Sequence, residues 1–172
     1  ARLEALDARL AVRAPHPLLG RASVHASLIN GGHELSSYPA ECRLQIERRT
    51  LPGESDADIT AELQAQLRTV AADDRSFRAD CRLLASRAPY AIAPDAPIAA
   101  AAAEALRRAT GSAELCGMGF WTDTALLAEA GIPGVVLGPR GQGLHGAEEH
   151  VELKSVSLLT ECLKSLAESL CG

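Results

Sequence analysis

The spacing of apolar and polar residues changes period several times along the chain, and each change marks an element. Leu3, Leu6 and Leu10 share one stripe of a helix predicted over residues 2–12, which Pro15 and Pro17 stop. From Arg21 to Ile29 the period falls to two. Val24, Ala26 and Leu28 lie on one face and Ser23, His25 and Ser27 on the other, predicting a half-buried strand. Asn30-Gly31-Gly32 turns the chain. A second strand is predicted from Glu41 to Glu47, with Cys42, Leu44 and Ile46 inward, and Pro52-Gly53 breaks it. Ser55 and Asp58 form a capping-box pattern ahead of Ile59, Leu63, Leu67 and Val70 at helical spacing. Phe77, Ala79, Cys81 and Leu83 alternate as a third strand. The order α-β-β-α-β lacks only a first strand from the split β-α-β-β-α-β motif, so residues 1–88 read as an incomplete ferredoxin-like domain.

Ala88-Pro89 to Pro94 reads as a linker, and the grammar then changes. Asp95 is expected to cap a helix with Pro97 in its first turn and Gly111 at its end. Glu114–Met118 is a short strand candidate, and Thr122–Ala130 a helix closed by Gly131. The apolar run Gly134–Leu137 predicts a strand covered on both faces. Residues 138–152 form a loop before a last helix with Val156, Leu159, Leu163, Leu166 and Leu170 inward. This α-β-α-β-α order is a parallel-sheet pattern, too small for a whole doubly wound domain. Residues 89–172 therefore read as part of an α/β domain, and the sequence reads as if it starts inside a larger fold.

Composition narrows the function classes. Hydrophobic residues make up 47% and charged residues 23% of 172, as in an ordinary soluble globular chain. A net charge of −5 argues against a nucleic-acid partner, whose affinity would rest on a basic face. No apolar stretch approaches the ~20 residues needed to span a bilayer, so no membrane partner is expected. Five scattered cysteines read as reduced core thiols, and with no visible signal peptide the expected compartment is the cytoplasm.

Ligands of open α/β sheets sit beyond the carboxyl ends of the strands. Two loops qualify, Gly117–Asp123 and Gly138–Val151. The second holds a literal G-x-G-x-x-G at Gly141, Gly143 and Gly146, but no further strand follows to close a dinucleotide-binding unit, and Glu161 falls inside the terminal helix. His145, followed by Glu148, Glu149 and His150, is of a type suited to zinc, although spacing alone favours a surface histidine in a polar loop. His16, His25, His33 and His150 read as surface or strand-face histidines. Arg49 could grip a carboxylate in a bidentate fork or stand solvated at a strand end. Phe120 and Trp121 read as core by default, and Asp123 as a helix cap. Spacing places no Ser/His/Asp or Cys/His nucleophile.

Taken together, HPLLG (His16–Gly20), Gly31-Gly32, YPAEC (Tyr38–Cys42) and IERRTLPGE (Ile46–Glu54) resemble the lid or dimerisation domain of dinuclear zinc amidohydrolases. That family includes acetylornithine deacetylase, succinyl-diaminopimelate desuccinylase and glutamate carboxypeptidase. The stretch WTDTALLAEAGIPGVVLGPRGQGLHGAEEHVE (Trp121–Glu152) resembles the end of its catalytic domain.

The resemblance implies an α/β protein with an α+β lid, residues 1–88, followed by the C-terminal part of a zinc-exopeptidase catalytic domain, residues 89–172. It implies hydrolysis of an N-acyl or peptide amide beside a free carboxylate. His145 matches a ligand to one of two zinc ions, for which cobalt or manganese could substitute, and Glu149 a supporting group. Arg49 matches the residue that binds the substrate's α-carboxylate. Ser36 stands where a substrate-contacting asparagine is usual, and Trp121 and Thr122 match a pocket-lining stretch, with Trp121 narrowing it. The family's H-x-D pair, bridging aspartate, Glu-Glu pair and lid histidine match nothing here. The general base is therefore expected elsewhere, no zinc is expected to be held stably by this chain, and the chain by itself is expected to be inactive. The expected partners are a small N-acyl amino acid or peptide substrate and a second copy joined through the lid. The competing reading is a non-catalytic module that dimerises or binds a small carboxylate.

Overall fold

The computed structural model describes residues 2–172. The chain divides into two compact units, one ending at Pro89 and the other beginning at Tyr90.

In the first unit, α1 (Arg2–Ala11) precedes β1 (Ser23–Gly31), β2 (Cys42–Arg49) and α2 (Asp56–Asp73). β1 and β2 pair antiparallel, from Ser23 opposite Arg49 to Gly31 opposite Cys42. Leu6 and Leu10 of α1 pack with Ala22 and Val24, and Leu3, Ile46, Leu51 and Leu63 close around them, so the helices cover one face of the hairpin. A bulge at Ser27 corrects the expected alternation. It brings Ile29, not Leu28, opposite Leu44 and onto the face shared by Val24 and Ala26. The core does not follow that face to its end, because Ile29 is 72% exposed and Leu44 about half exposed. Ser55 caps α2 as its spacing predicts: Asp58 N–H donates to Ser55 Oγ at 3.2 Å.

The alternating stretch Phe77–Leu83 forms no strand. Period-two patterning orients side chains, but a strand also needs a neighbour to take its N–H and C=O groups, and none pairs with it among the described residues. Among the described residues, β1 and β2 alone of the expected ferredoxin-like sheet are therefore paired.

The second unit contains α3 (Pro97–Thr110), α4 (Thr124–Glu129), the two-residue strands β3 (Gly141–Gln142) and β4 (His150–Val151), and α5 (Leu153–Cys171). Pro97 opens α3 as predicted. The N-cap, however, is Ala96 and not Asp95, with no side-chain cap bond. Gly111 ends α3 at φ +84°, donating to the Arg107 carbonyl at 2.8 Å. Ala102 and Ala105 of α3 pack on Cys162 and Leu166 of α5, where small side chains let two helices approach closely. The stripe of α5 is rotated from the expected one: Cys162 and Leu166 are buried, whereas Leu163 and Leu170 are about half exposed.

Neither Glu114–Met118 nor Gly134–Leu137 pairs as a strand, so the predicted parallel sheet does not form among the described residues. Val135 and Leu137 still pack against the α3–α5 core while Val136 faces out, which gives Gly134–Leu137 one covered face instead of two. The Tyr90 hydroxyl holds this segment, donating to the Gly134 carbonyl at 2.9 Å and accepting its N–H at 3.2 Å.

Candidate functional site

Adjacent residues of a strand point to opposite faces, and β2 ends in two arginines. Arg48 takes the helix-covered face. Its side chain is 4% exposed, with Nη2 2.6 Å from Glu54 Oε1 and Nε 3.3 Å from Glu62 Oε2. Arg13, two residues beyond α1, joins through Nη2 to Glu62 Oε1 at 2.6 Å. Two arginines and two glutamates thus close a charge-balanced network, the condition under which a buried guanidinium is tolerated. Arg49 takes the uncovered face. Its side chain is 57% exposed, and Nε donates to Glu47 Oε1 at 3.3 Å. The ladder partners of Glu47 and Arg49 are His25 and Ser23, and Ser23 Oγ lies 3.0 Å from His25 Nε2. A planar donor fork on an open face can meet a carboxylate bidentately.

Ser36 is exposed in the connection between β1 and β2, beyond the Gly31–Cys42 end of the ladder. Arg49 lies at the other end, and the seven residue steps between Cys42 and Arg49 span roughly 23 Å. The structure does not bring Ser36 and Arg49 together.

In the second unit, β3 and β4 close a hairpin around His145. Arg140 anchors its base: the Arg140 carbonyl accepts Glu152 N–H at 2.9 Å, and Arg140 N–H donates to Ser155 Oγ at 2.9 Å. The glycines are required by close approach. A Cβ at Gly141 would run into the His150 carbonyl oxygen, and one at Gly143, at φ +71°, into that of Glu148. This accounts for G-x-G-x-x-G without a nucleotide. His145 adopts φ +60°, the left-handed region that non-glycine residues seldom occupy. Its N–H donates to Glu149 Oε2 at 3.3 Å, so Glu149 ties down the backbone that carries the imidazole. Glu148 contributes its carbonyl, 3.4 Å from His150 Nδ1.

No group of three His, Cys, Asp or Glu side chains able to hold a metal ion occurs among the described residues. His145 can offer one nitrogen, and these residues do not by themselves make a zinc site. Phe120 and Trp121 correct the core reading, since both are more than one-third exposed. Half-buried Thr122 opens α4 through its carbonyl, which accepts Ala125 N–H at 3.1 Å. Asp123 occupies the N-cap position without a side-chain cap bond, contrary to its expected role.

Three features went unread in the sequence. His16, half-buried, accepts the N–H groups of Leu18 and Leu19 on Nδ1, both at 3.2 Å, and so organises the HPLLG turn. Asp7 accepts Arg21 Nη1 at 3.0 Å and Val24 N–H at 3.2 Å. The Val24 amide and then the Arg21 guanidinium hold its carboxyl below the ordinary carboxylate range. Arg48 is the third. Its place was legible, because Cys42, Leu44, Ile46 and Arg48 share one alternation, and Glu54 and Glu62 offered the countercharge.

An acetylornithine deacetylase from Myxococcus xanthus is 24% identical over 151 residues, a match covering 87% of this chain and 38% of that protein. The chain thus spans less than half the length of the curated relative it matches. Residues 8–169 match the family described as peptidase family M20/M25/M40, which takes in both units. The chain belongs to peptidase family M20/M25/M40.

Proposed function

We propose that this chain forms part of a metal-dependent hydrolase that cleaves an N-acyl or peptide amide beside a free carboxylate, with an N-acetyl amino acid as the first substrate to try. The family match over residues 8–169 carries this reading, and the acetylornithine deacetylase relative gives it a substrate class. The unit ending at Pro89 acts as the lid, and the unit from Tyr90 as the C-terminal part of the catalytic domain.

Each assigned side chain has a chemical reason. Arg49, on the uncovered face of the hairpin, anchors the substrate carboxylate with its charged fork. His145, presented by a glycine-shaped hairpin and steadied through Glu149, supplies one imidazole to a zinc ion whose other ligands this chain does not provide. Trp121 and Thr122 border the substrate's side chain. The general base is likewise not among the residues assigned here, so the chain by itself does not turn over substrate. A second copy joins through the lid hairpin, whose Leu28, Ile29 and Leu44 stand exposed and whose outer edges are unpaired among the described residues.

The test is acetate release from Nα-acetyl-L-ornithine and related N-acyl amino acids. It uses the product of the whole reading frame that encodes this chain, dialysed against a chelator and reloaded with zinc, cobalt or manganese. Metal-dependent release, absent from the 172-residue chain assayed alongside, is the expected result. Binding of the amino acid without turnover under any metal would favour the non-catalytic module.

A further inference from the structure

The two arginines that close β2 differ in every respect except their charge. Arg49 faces outward. Arg48 lies inside and makes a bond the ion-pair network does not need: Nη1 donates to the backbone carbonyl of Arg49 at 2.6 Å. The same guanidinium reaches Glu54 through Nη2 at 2.6 Å and through Nη1 at 3.3 Å, and Glu62 through Nε. Glu54 Oε2 in turn accepts Leu51 N–H at 2.7 Å, and Glu54 N–H donates to the Leu51 carbonyl at 3.1 Å. The chain from Arg48 to Glu54 is therefore a closed ring of hydrogen bonds. Arg49 is the residue whose carbonyl it clamps, at the point where the ladder ends opposite Ser23.

We propose that Arg48 is a positioning residue for substrate recognition: with Glu54 and Glu62 it fixes the Arg49 peptide, and so the direction from which the Arg49 guanidinium meets the substrate carboxylate. This rests on the reading of Arg49 as the carboxylate anchor. At the last paired residue of a strand the next peptide is free to turn, and a long side chain swings with it. A bidentate contact needs its fork aimed, and Arg48 supplies the aim through the backbone. Five donors in one rigid plane let it bond Glu54, Glu62 and the Arg49 carbonyl at once, which the point charge of a lysine cannot do. Arg13, paired with Glu62 and 3.6 Å from Glu54, keeps the network neutral while Arg48 is so occupied.

The experiment compares an N-acyl amino acid with its carboxamide, which lacks the carboxylate charge, on the whole-reading-frame product. Arg48→Lys keeps the buried charge and the fold, checked by circular dichroism. It is expected to raise KM for the free acid about tenfold with kcat within about twofold, and to narrow the preference for acid over carboxamide. Adding Arg48→Lys to Arg49→Ala should then change that preference no further, because the two act through one contact. Glu54→Gln, which weakens the clamp from the other side, should move KM in the same direction. An Arg48→Lys enzyme with undiminished acid preference, or one that loses kcat and thermal stability alone, overturns the proposal and leaves Arg48 a structural residue. Failure of the underlying reading looks different: Arg49→Ala would itself retain the acid preference, and the proposal would fall with it.

Discussion

Asp7 ties α1 to the start of β1 by accepting both the Val24 amide and the Arg21 guanidinium. Its carboxyl titrates below the ordinary value of about 3.9. A group depressed in the folded state contributes stability that is fully present above its unfolded pKa and lost as pH falls through the folded value. Asp7→Asn should therefore lower Tm at pH 6 and flatten its decline on the acid side, below about pH 4. An unchanged acid limb in thermal melts would show that Asp7 carries none of it. The cysteines give a second prediction. The sequence reading places all five in the core, yet Cys42, Cys116 and Cys171 are exposed, Cys81 is half-buried and only Cys162 is buried. Burial also pushes the Cys162 thiol up, away from its reactive thiolate. A thiol titration of the native chain should find three fast groups, a slower fourth and a fifth only after denaturation. A fifth fast thiol would contradict the α3–α5 packing. Cysteine is small and apolar enough to suit either place, so its burial depends on what packs over it, and a sequence does not state that.

Elements whose specification is local were the legible ones. The leucines of α1, the Ser55 cap of α2, and Pro97 and Gly111 at the two ends of α3 each act within a few residues of themselves, and each element forms. Phe77–Leu83 and Gly134–Leu137 carry equally clear patterns and do not pair, because a strand is completed only by a partner distant in sequence. The bulge at Ser27 is similarly silent: one extra residue reverses which of Leu28 and Ile29 meets Leu44, with no residue type to announce it. In the His145 hairpin the glycines were visible, but their reason was not. Gly141 is there because β4 passes too close for a side chain, and Gly143 because the Glu148 carbonyl does. Gly141→Ala should consequently cost about 1–3 kcal/mol, seen as lost hydrogen-exchange protection at Glu152 N–H, which closes the hairpin base. Retained protection would mean that the strands separate without penalty.

For the molecule as a whole, the long irregular segment between α2 and α3 sets one prediction apart from the local ones. Arg78, Arg82 and Arg87 all lie in it, with Arg82 more than three-quarters exposed. Limited trypsin digestion should cut there first and leave two fragments, one from each unit. Initial cleavage inside α2 or α5 would contradict the division at Pro89. The candidate site was legible as residues more than as a place. Arg49 and His145 each stand on a hairpin suited to the task assigned to it, one in each unit, whereas Ser36 lies at the far end of the ladder from Arg49. The family match over residues 8–169 and the open guanidinium of Arg49 are the two observations on which the proposed carboxylate-selective hydrolase rests. The decisive measurement is kcat/KM for an N-acyl amino acid with the metal-loaded whole-reading-frame product and its Arg49→Ala variant. A fall of about tenfold to a hundredfold, carried mainly by KM, is predicted for a lost charged hydrogen-bonding contact of about 1.5–3 kcal/mol. Undiminished kcat/KM in the variant would contradict the carboxylate role, and absence of turnover in the unmodified protein would contradict the hydrolase.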